Sequence, residues 1–368
     1  MKIARWSLDF YHLAYRRQVV WANAIEDAGV YALLRIESDD GLAGMAEGTV
    51  KATWSGVSPA SLAAAFRDLV MPAAAGLDVS DPAALRQALA PLPENRLAKG
   101  MLETACWMLR AARAGQPLWQ FWGGTPEVEV TWTVTRQPPE VMAREAAGAA
   151  ERHGIRAFKI KGGQGMDVDR RALRAIRRAV GDGAVFNVDA NSAYAPDEAA
   201  AYLRLLEDEG VETAEDPCPL RPDAHFEALQ RGTALPILVD SPCATVADAA
   251  LFLERGARSL SAKPGRIGMT ETLAIGDLAR KYGARIATGI YAESALGTLI
   301  NLQQAGAVPA ADCAFAAEQT FFLTLAEQVV PAEPVIRRGR VALPPSPCVD
   351  DWIDRERLER YRLPVSAS

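Results

Sequence analysis

At 368 residues the chain is long for a single hydrophobic core, so two domains are expected. Hydrophobic residues at 49% and charged residues at 23% argue for an ordinary globular protein, and a net charge of -6 without a basic run argues against nucleic acid as a partner. Three histidines, and five scattered cysteines without a CxxC pair, argue against a histidine-built metal centre, a zinc site and a disulfide framework. The start Met1-Lys2-Ile3-Ala4-Arg5-Trp6 lacks the apolar core of a signal peptide, and no stretch approaches the ~18 apolar residues of a membrane span. A cytoplasmic location without a membrane partner is the expectation.

Taken in order, residues 1 to about 48 read as antiparallel strands. Val30–Ile36 is rich in strand formers, Asp39-Asp40-Gly41 turns, and Leu42–Gly48 returns. Thr49–Pro59 reads as a loop carrying Trp54, and a region broken by Pro72, Pro82, Pro91 and Pro93 as helical. Met101, Ala105, Met108, Leu109 and Ala112 follow three-four spacing, which predicts a helix over 96–114 that Gly115 and Pro117 stop. Gly123-Gly124-Thr125-Pro126 marks a boundary.

Beyond it the rhythm changes to strands alternating with helices. Val128–Val134, Ala157–Lys161, Val185–Asp189, Val211–Glu215, Pro236–Asp240, Ser259–Lys263, Arg285–Thr288 and Cys313–Ala317 read as eight strands. Such alternation means parallel βα units, and eight strands fit a closed β/α barrel better than an open sheet. No Gly-x-Gly-x-x-Gly turn supports a dinucleotide fold. The expected architecture is α/β: residues 1–124 an α+β capping domain, 125–325 the barrel, and 326–368 a segment packing back on the cap.

Catalytic residues of a β/α barrel stand at the C-terminal ends of its strands. Those ends are Lys161, Asp189, Glu215, Asp240 and Lys263. Three buried carboxylates at one rim would be costly without a cation, and an all-oxygen donor set favours Mg²⁺, with Mn²⁺ second. Helix capping is the competing role for acids such as Asp189 ahead of Asn191 and Asp240 ahead of Ser241. Lys161 precedes the three acids and Lys263 follows them, so around the ring they oppose each other across a bound carboxylate substrate. Each is a candidate acid/base for removing the proton beside that carboxylate, with Lys159 as electrostatic helper.

With these residues in view, the chain resembles the enolase superfamily, and within it the muconate-lactonizing subgroup. The resemblance runs over nearly the whole length, through Gly115-Gln116-Pro117-Leu118-Trp119-Gln120-Phe121-Trp122-Gly123-Gly124, Lys159-x-Lys161, Val188-Asp189-Ala190-Asn191, Glu215-Asp216-Pro217, Asp240 and Lys263. It implies a capping domain over a (β/α)7β barrel of the TIM type, Mg²⁺ or Mn²⁺ on Asp189, Glu215 and Asp240, acid/base roles for Lys161 and Lys263, and a homo-oligomer, dimer or octamer. The absence of histidine near Thr288-Gly289-Ile290 counts against the mandelate racemase branch. Val130–Val134 and Glu318 look most like muconate cycloisomerases. Dipeptide and N-acylamino acid racemases and o-succinylbenzoate synthases, which share the lysine pair, are the alternatives. Ser241-Pro242 and Met269 depart from the usual pattern and motivate a different class, a non-catalytic barrel binding protein. A Schiff-base aldolase using either lysine is a third reading, which the three carboxylates oppose. Asn191, Trp54, Trp132, Glu293 and Glu318 are candidate substrate contacts, with cap packing the competing role for Trp54, core filling the favoured one for Trp132 and helix capping the competing one for Glu293 and Glu318; the segments Tyr11–Trp21 and Thr49–Gly56 are the expected specificity loops of the cap.

Overall fold

A computed structural model describes residues 1–21 and 24–364; residues 22–23 of the N-terminal region and 365–368 of the C-terminal segment lie outside the described residues. Alternation decides the first sheet. In β1 (Ile3–Val20), Tyr11, Leu13 and Tyr15 are buried while His12, Ala14 and Arg16 are exposed, the period of a strand with one wet face. β1 pairs antiparallel with β2 (Ile25–Ser38), and β2 with β3 (Ala43–Thr49). Tyr11–Trp21, expected as a loop, is therefore mostly strand, with a slip in pairing only between Ala14 and Val19. The helix Arg96–Arg113 lies against this sheet, close enough that a Cβ on Gly44 would strike the Ala105 carbonyl. Ala52–Ser55, expected as loop, forms a single helical turn.

The stretch Val128–Val134, expected as one strand, splits in two. β4 (Glu127–Glu129) leaves the barrel, and β5 (Trp132–Val134) begins it. The parallel strands that follow are β6 (Ala157–Lys161), β7 (Val185–Asp189), β8 (Thr213–Glu215), β9 (Ile237–Val239), β10 (Ser259–Ala262) and β11 (Arg285–Thr288). They lie in sequence order in one seven-stranded sheet. Near the C-terminus, β12 (Ile336–Arg337) pairs with β13 (Arg340–Ala342), which takes β4 as its other partner.

The eighth stave is not a regular strand. Residues 313–317 are held by isolated bridges, Ile286 to Cys313 on one flank and Val130 to Ala317 on the other. The ladder still closes: Ala314 N–H donates to Ile286 O at 2.8 Å, Glu318 N–H to Thr288 O at 2.9 Å, and Thr131 N–H to Ala317 O at 2.9 Å. The result is a (β/α)7β barrel of the TIM type under an α+β cap.

Pleating sorts the barrel side chains. Phe158, Ile160, Phe186 and Val188 point outward into the helix-facing core, whereas Ala157, Leu238, Ala287 and Phe315 fill the interior. Lys159 and Lys161 share the parity of Ala157, and Lys161, Asp189 and Glu215 are successive Cα partners across β6, β7 and β8. The chain's last described stretch returns to β1, where Leu363 N–H donates to Phe10 O at 2.7 Å and His12 N–H to Tyr361 O at 3.1 Å. Among the described residues, no helix is long and apolar enough to cross a membrane.

Candidate active site

The C-terminal rim assembles from strand ends. Lys161, Asp189 and Glu215 close β6, β7 and β8, while Asp240 and Lys263 come one residue after β9 and β10. Four steps along the sheet separate β6 from β10, and on a ring of eight staves that places Lys161 opposite Lys263.

Lys159 lies below the rim, fully buried. Its ammonium is 2.7 Å from Glu215 Oε1, 2.9 Å from Glu318 Oε2 and 3.2 Å from Asp189 Oδ2. Burial disfavours its charge, but Glu215, Glu318 and Asp189 outweigh that cost and hold its pKa well above the ordinary lysine value. Lys161 sits higher and is partly open to solvent, donating to Asp189 Oδ2 at 2.6 Å and to Asn191 Oδ1 at 3.3 Å. Across the mouth, Lys263 donates to Asp240 Oδ2 at 2.5 Å. Burial works against ionising Asp189 and Asp240. Lys161 and Lys159 nevertheless keep the first below the usual carboxylate range, and Lys263 and Arg266 do the same for the second. Glu215 behaves oppositely: burial, then the neighbouring Asp189 charge, push it well above its ordinary value.

Among the described residues, no three carboxylate, imidazole or thiol side chains converge as a ready-made ligand set. Asp189, Glu215 and Asp240 each turn to an ammonium instead. The donor chemistry still fits a hard divalent ion. All three are oxygen donors, Asp240 Oδ1 is buried without a hydrogen-bond partner, and so are Asn187 Oδ1 and Glu318 Oε1 close by. Like-charge crowding on Glu215 from Asp189, Glu318 and Asp240 is the strain such a cation relieves.

The other candidates divide. Asn191, in a left-handed turn at φ 49, gives its backbone N–H and its amide to Asp189 at 2.8 and 3.1 Å and so belongs to the rim. Glu318 reaches Lys159 from beyond the eighth stave. Trp54 lies on the cap's single helical turn, its ring 5.1 Å from Tyr291 and 4.9 Å from Trp21, so both expected cap segments meet the barrel mouth there. Two candidates are engaged elsewhere. Trp132 faces the helix Pro139–His153, where it stacks on His153 and donates to Glu145 at 3.2 Å; it has the parity of Phe158 and turns away from the mouth. Glu293 is buried, with its oxygens taken by Tyr291 N–H and Asn301 Nδ2 at 2.8 Å each, and touches neither lysine through a hydrogen bond.

Other contributors were not singled out from the sequence. Asn187 donates to Glu215 Oε2 at 3.1 Å; its place two residues before Asp189 puts it on the same face. Asp216 accepts from Asp240 N–H at 3.1 Å and Ser241 N–H at 2.9 Å and fixes the turn after β9; burial and the Asp240 charge raise its carboxyl to about 7. Arg136 ties the ends of β6 and β7 by donating to Gly162 O at 2.6 Å and Ala190 O at 3.0 Å. Arg266 donates to the carbonyls of Asp240 at 3.2 Å and Cys243 at 2.5 Å. No local pattern around these arginines distinguishes them from surface cations.

Comparison with known proteins agrees with this geometry. Residues 141–348 match the family model described as enolase C-terminal domain-like, and residues 14–123 match the mandelate racemase / muconate lactonizing enzyme N-terminal domain. The chain is 30% identical to N-succinylamino acid racemase of Thermus thermophilus over 313 residues, 83% of each protein. It is 28% identical to o-succinylbenzoate synthase of Geobacillus kaustophilus over 350 residues, 90% of this chain and 88% of that one. Muconate lactonizing enzyme from Pseudomonas fluorescens, solved in complex with muconolactone, superposes with a TM-score of 0.89 at 25% identity, covering 98% of this chain and 99% of the other. The chain is thus an enzyme of the mandelate racemase / muconate lactonizing enzyme family, within the enolase superfamily.

Proposed function

We propose that the protein is a Mg²⁺-dependent enzyme, with Mn²⁺ as the second choice of metal, that moves a proton at the carbon beside a substrate carboxylate. The substrate class we put first is an N-acylated amino acid, racemised between Lys161 and Lys263. The observation that carries this reading is the opposition of two ammonium groups, each seated on its own carboxylate, across one barrel mouth. A racemisation needs one acid/base on each side of the reacting carbon, and this rim supplies both. The similarity to an N-succinylamino acid racemase supports the choice of class.

Asp189, Glu215 and Asp240 are the residues we assign to hold the metal, which when bound draws in the substrate carboxylate and offsets the charge of the enediolate. The chain's own groups do the rest. Lys161 takes or returns the proton on one face, and Lys263 does so on the other. Lys159, kept charged by its three carboxylates, balances the acidic floor. Asn191 orients Lys161 and Asp189, and the Trp54–Tyr291 contact shields the mouth from the cap side. The boundaries 1–124, 125–325 and 326–368 and a homo-oligomeric state belong to the same reading, the latter resting on the family resemblance.

Incubating each enantiomer of N-succinylphenylalanine with the protein and Mg²⁺ in D₂O tests it. Deuterium at the α-carbon, with racemic product, is the expected result; no exchange from any N-acylamino acid overturns the substrate class. A second reading, muconate cycloisomerisation, is favoured by Glu318 on Lys159 and by the structural likeness to a muconate lactonizing enzyme. Consumption of cis,cis-muconate with lactone formation would place it first.

A further inference from the structure

We propose that Gly289 is a positioning residue for Lys263, and that its missing side chain is the seat on which that lysine's stem lies. The inference rests on the proton-transfer reading above for one of its tests, but its geometry stands alone. A Cβ built on Gly289 would fall 2.8 Å from Lys263 Cγ, 2.7 Å from Lys263 Cε and 2.6 Å from Ser261 Oγ. Both carbons are nearer than ordinary contact, so the stem runs flat across the glycine. The serine hydroxyl escapes by one bond rotation. The lysine does not, because the contact reaches back to Cγ, near the root of the side chain.

Nor does the backbone yield easily. Gly289 N–H donates to Ala262 O at 3.0 Å, and Gly289 O accepts from Gln319 Nε2 at 3.0 Å. Ala262 is the residue before Lys263, and Gln319 is fully buried beyond the eighth stave. With Gly289 clamped on both sides, a methyl group there displaces the lysine and breaks its 2.5 Å contact with Asp240. Lys161 lies on the opposite side of the ring and is untouched.

The test compares Gly289→Ala, Lys263→Ala and the double variant with the native protein. In metal-free protein, acetic anhydride labelling followed by peptide mass spectrometry reads each lysine. Gly289→Ala is expected to change Lys263 labelling severalfold and leave Lys161 labelling as it was. Thermal unfolding gives a second readout. Removing the lysine stem makes room for the methyl, so Gly289→Ala should lower the melting temperature several degrees in the native protein and much less in the Lys263→Ala background, which carries the loss of the Asp240 partner in both of its members. Where exchange of N-succinylphenylalanine is observed, Gly289→Ala should slow it roughly 100-fold for the enantiomer served by Lys263 and within about threefold for the other. Unchanged Lys263 labelling, an equal loss of melting temperature from Gly289→Ala in both backgrounds, or equal slowing of both enantiomers each overturns the proposal. Absence of exchange in every protein overturns the substrate reading and leaves labelling and stability to decide this one.

Discussion

Lys161 and Asp189 are Cα partners on adjacent parallel strands, and their side chains close a 2.6 Å contact at the rim. Lys263 and Asp240, which are not register partners, make the matching side-chain contact on the far side of the mouth at 2.5 Å. If each lysine serves one face of the reacting carbon, removing one should leave half of the chemistry. Lys161→Ala is expected to cut deuterium exchange of one N-succinylphenylalanine enantiomer by about 10²–10⁴-fold and to leave exchange of the other nearly intact, with Lys263→Ala giving the mirror pattern. Nuclear magnetic resonance of each enantiomer in D₂O reads this directly. Equal loss for both enantiomers would assign the chemistry to a single base.

The carboxylates predict how the protein answers metal. Chelation should abolish exchange and Mg²⁺ should restore it. The stability readout is independent of turnover: Mg²⁺ at ~100 times its dissociation constant should stabilise the fold by about 2.7 kcal/mol. Asp240→Asn keeps the shape but removes the charge of the side chain whose Oδ1 is buried without a partner, so it should weaken that Mg²⁺-induced rise in melting temperature. An identical rise in the variant would remove Asp240 from the ligand set.

Much of this was legible because the barrel writes its rim at regular intervals. Apolar strands ending in Lys161, Asp189, Glu215 and Lys263 announce both fold and site, since strand parity alone decides which residues face inward. What stayed hidden depended on long-range partners. Asn187 and Asp216 are visible once their strands are aligned, but Arg136 and Arg266 act on carbonyl groups that no local pattern points to. The eighth stave misled in a milder way: residues 313–317 have strand composition, yet their ladder is a pair of bridges. Trp132 follows the parity rule: it shares the parity of Val130 and Val134, which lie in the helix-facing core, and it pairs with Phe158 on that side, as core filling requires.

That alignment makes the core-filling role of Trp132 testable. Its indole donates to Glu145 and stacks on His153, outside the barrel. Trp132→Phe should lose one hydrogen bond and part of the stacking on His153, costing about 1–2 kcal/mol of stability in denaturant unfolding. Exchange rates for both enantiomers should match the native protein. A selective change in substrate affinity would return Trp132 to the pocket.

On the helix Arg96–Arg113, Glu103 predicts a pH effect. Burial, and to a lesser degree Glu271, raise its carboxyl from 4.5 to about 7 in the folded protein. The sign follows from linkage. Below the unfolded value of 4.5 both states hold the proton and Glu103 costs nothing; as pH rises towards 7 the unfolded chain releases its proton while the folded one resists, so stability falls across that window. Glu103→Gln removes the penalty. It should stabilise the protein by about 3 kcal/mol at pH 8 and leave it unchanged near pH 4, as measured by urea unfolding at the two pH values. A gain of equal size at both would mean that Glu103 acts through packing instead of charge.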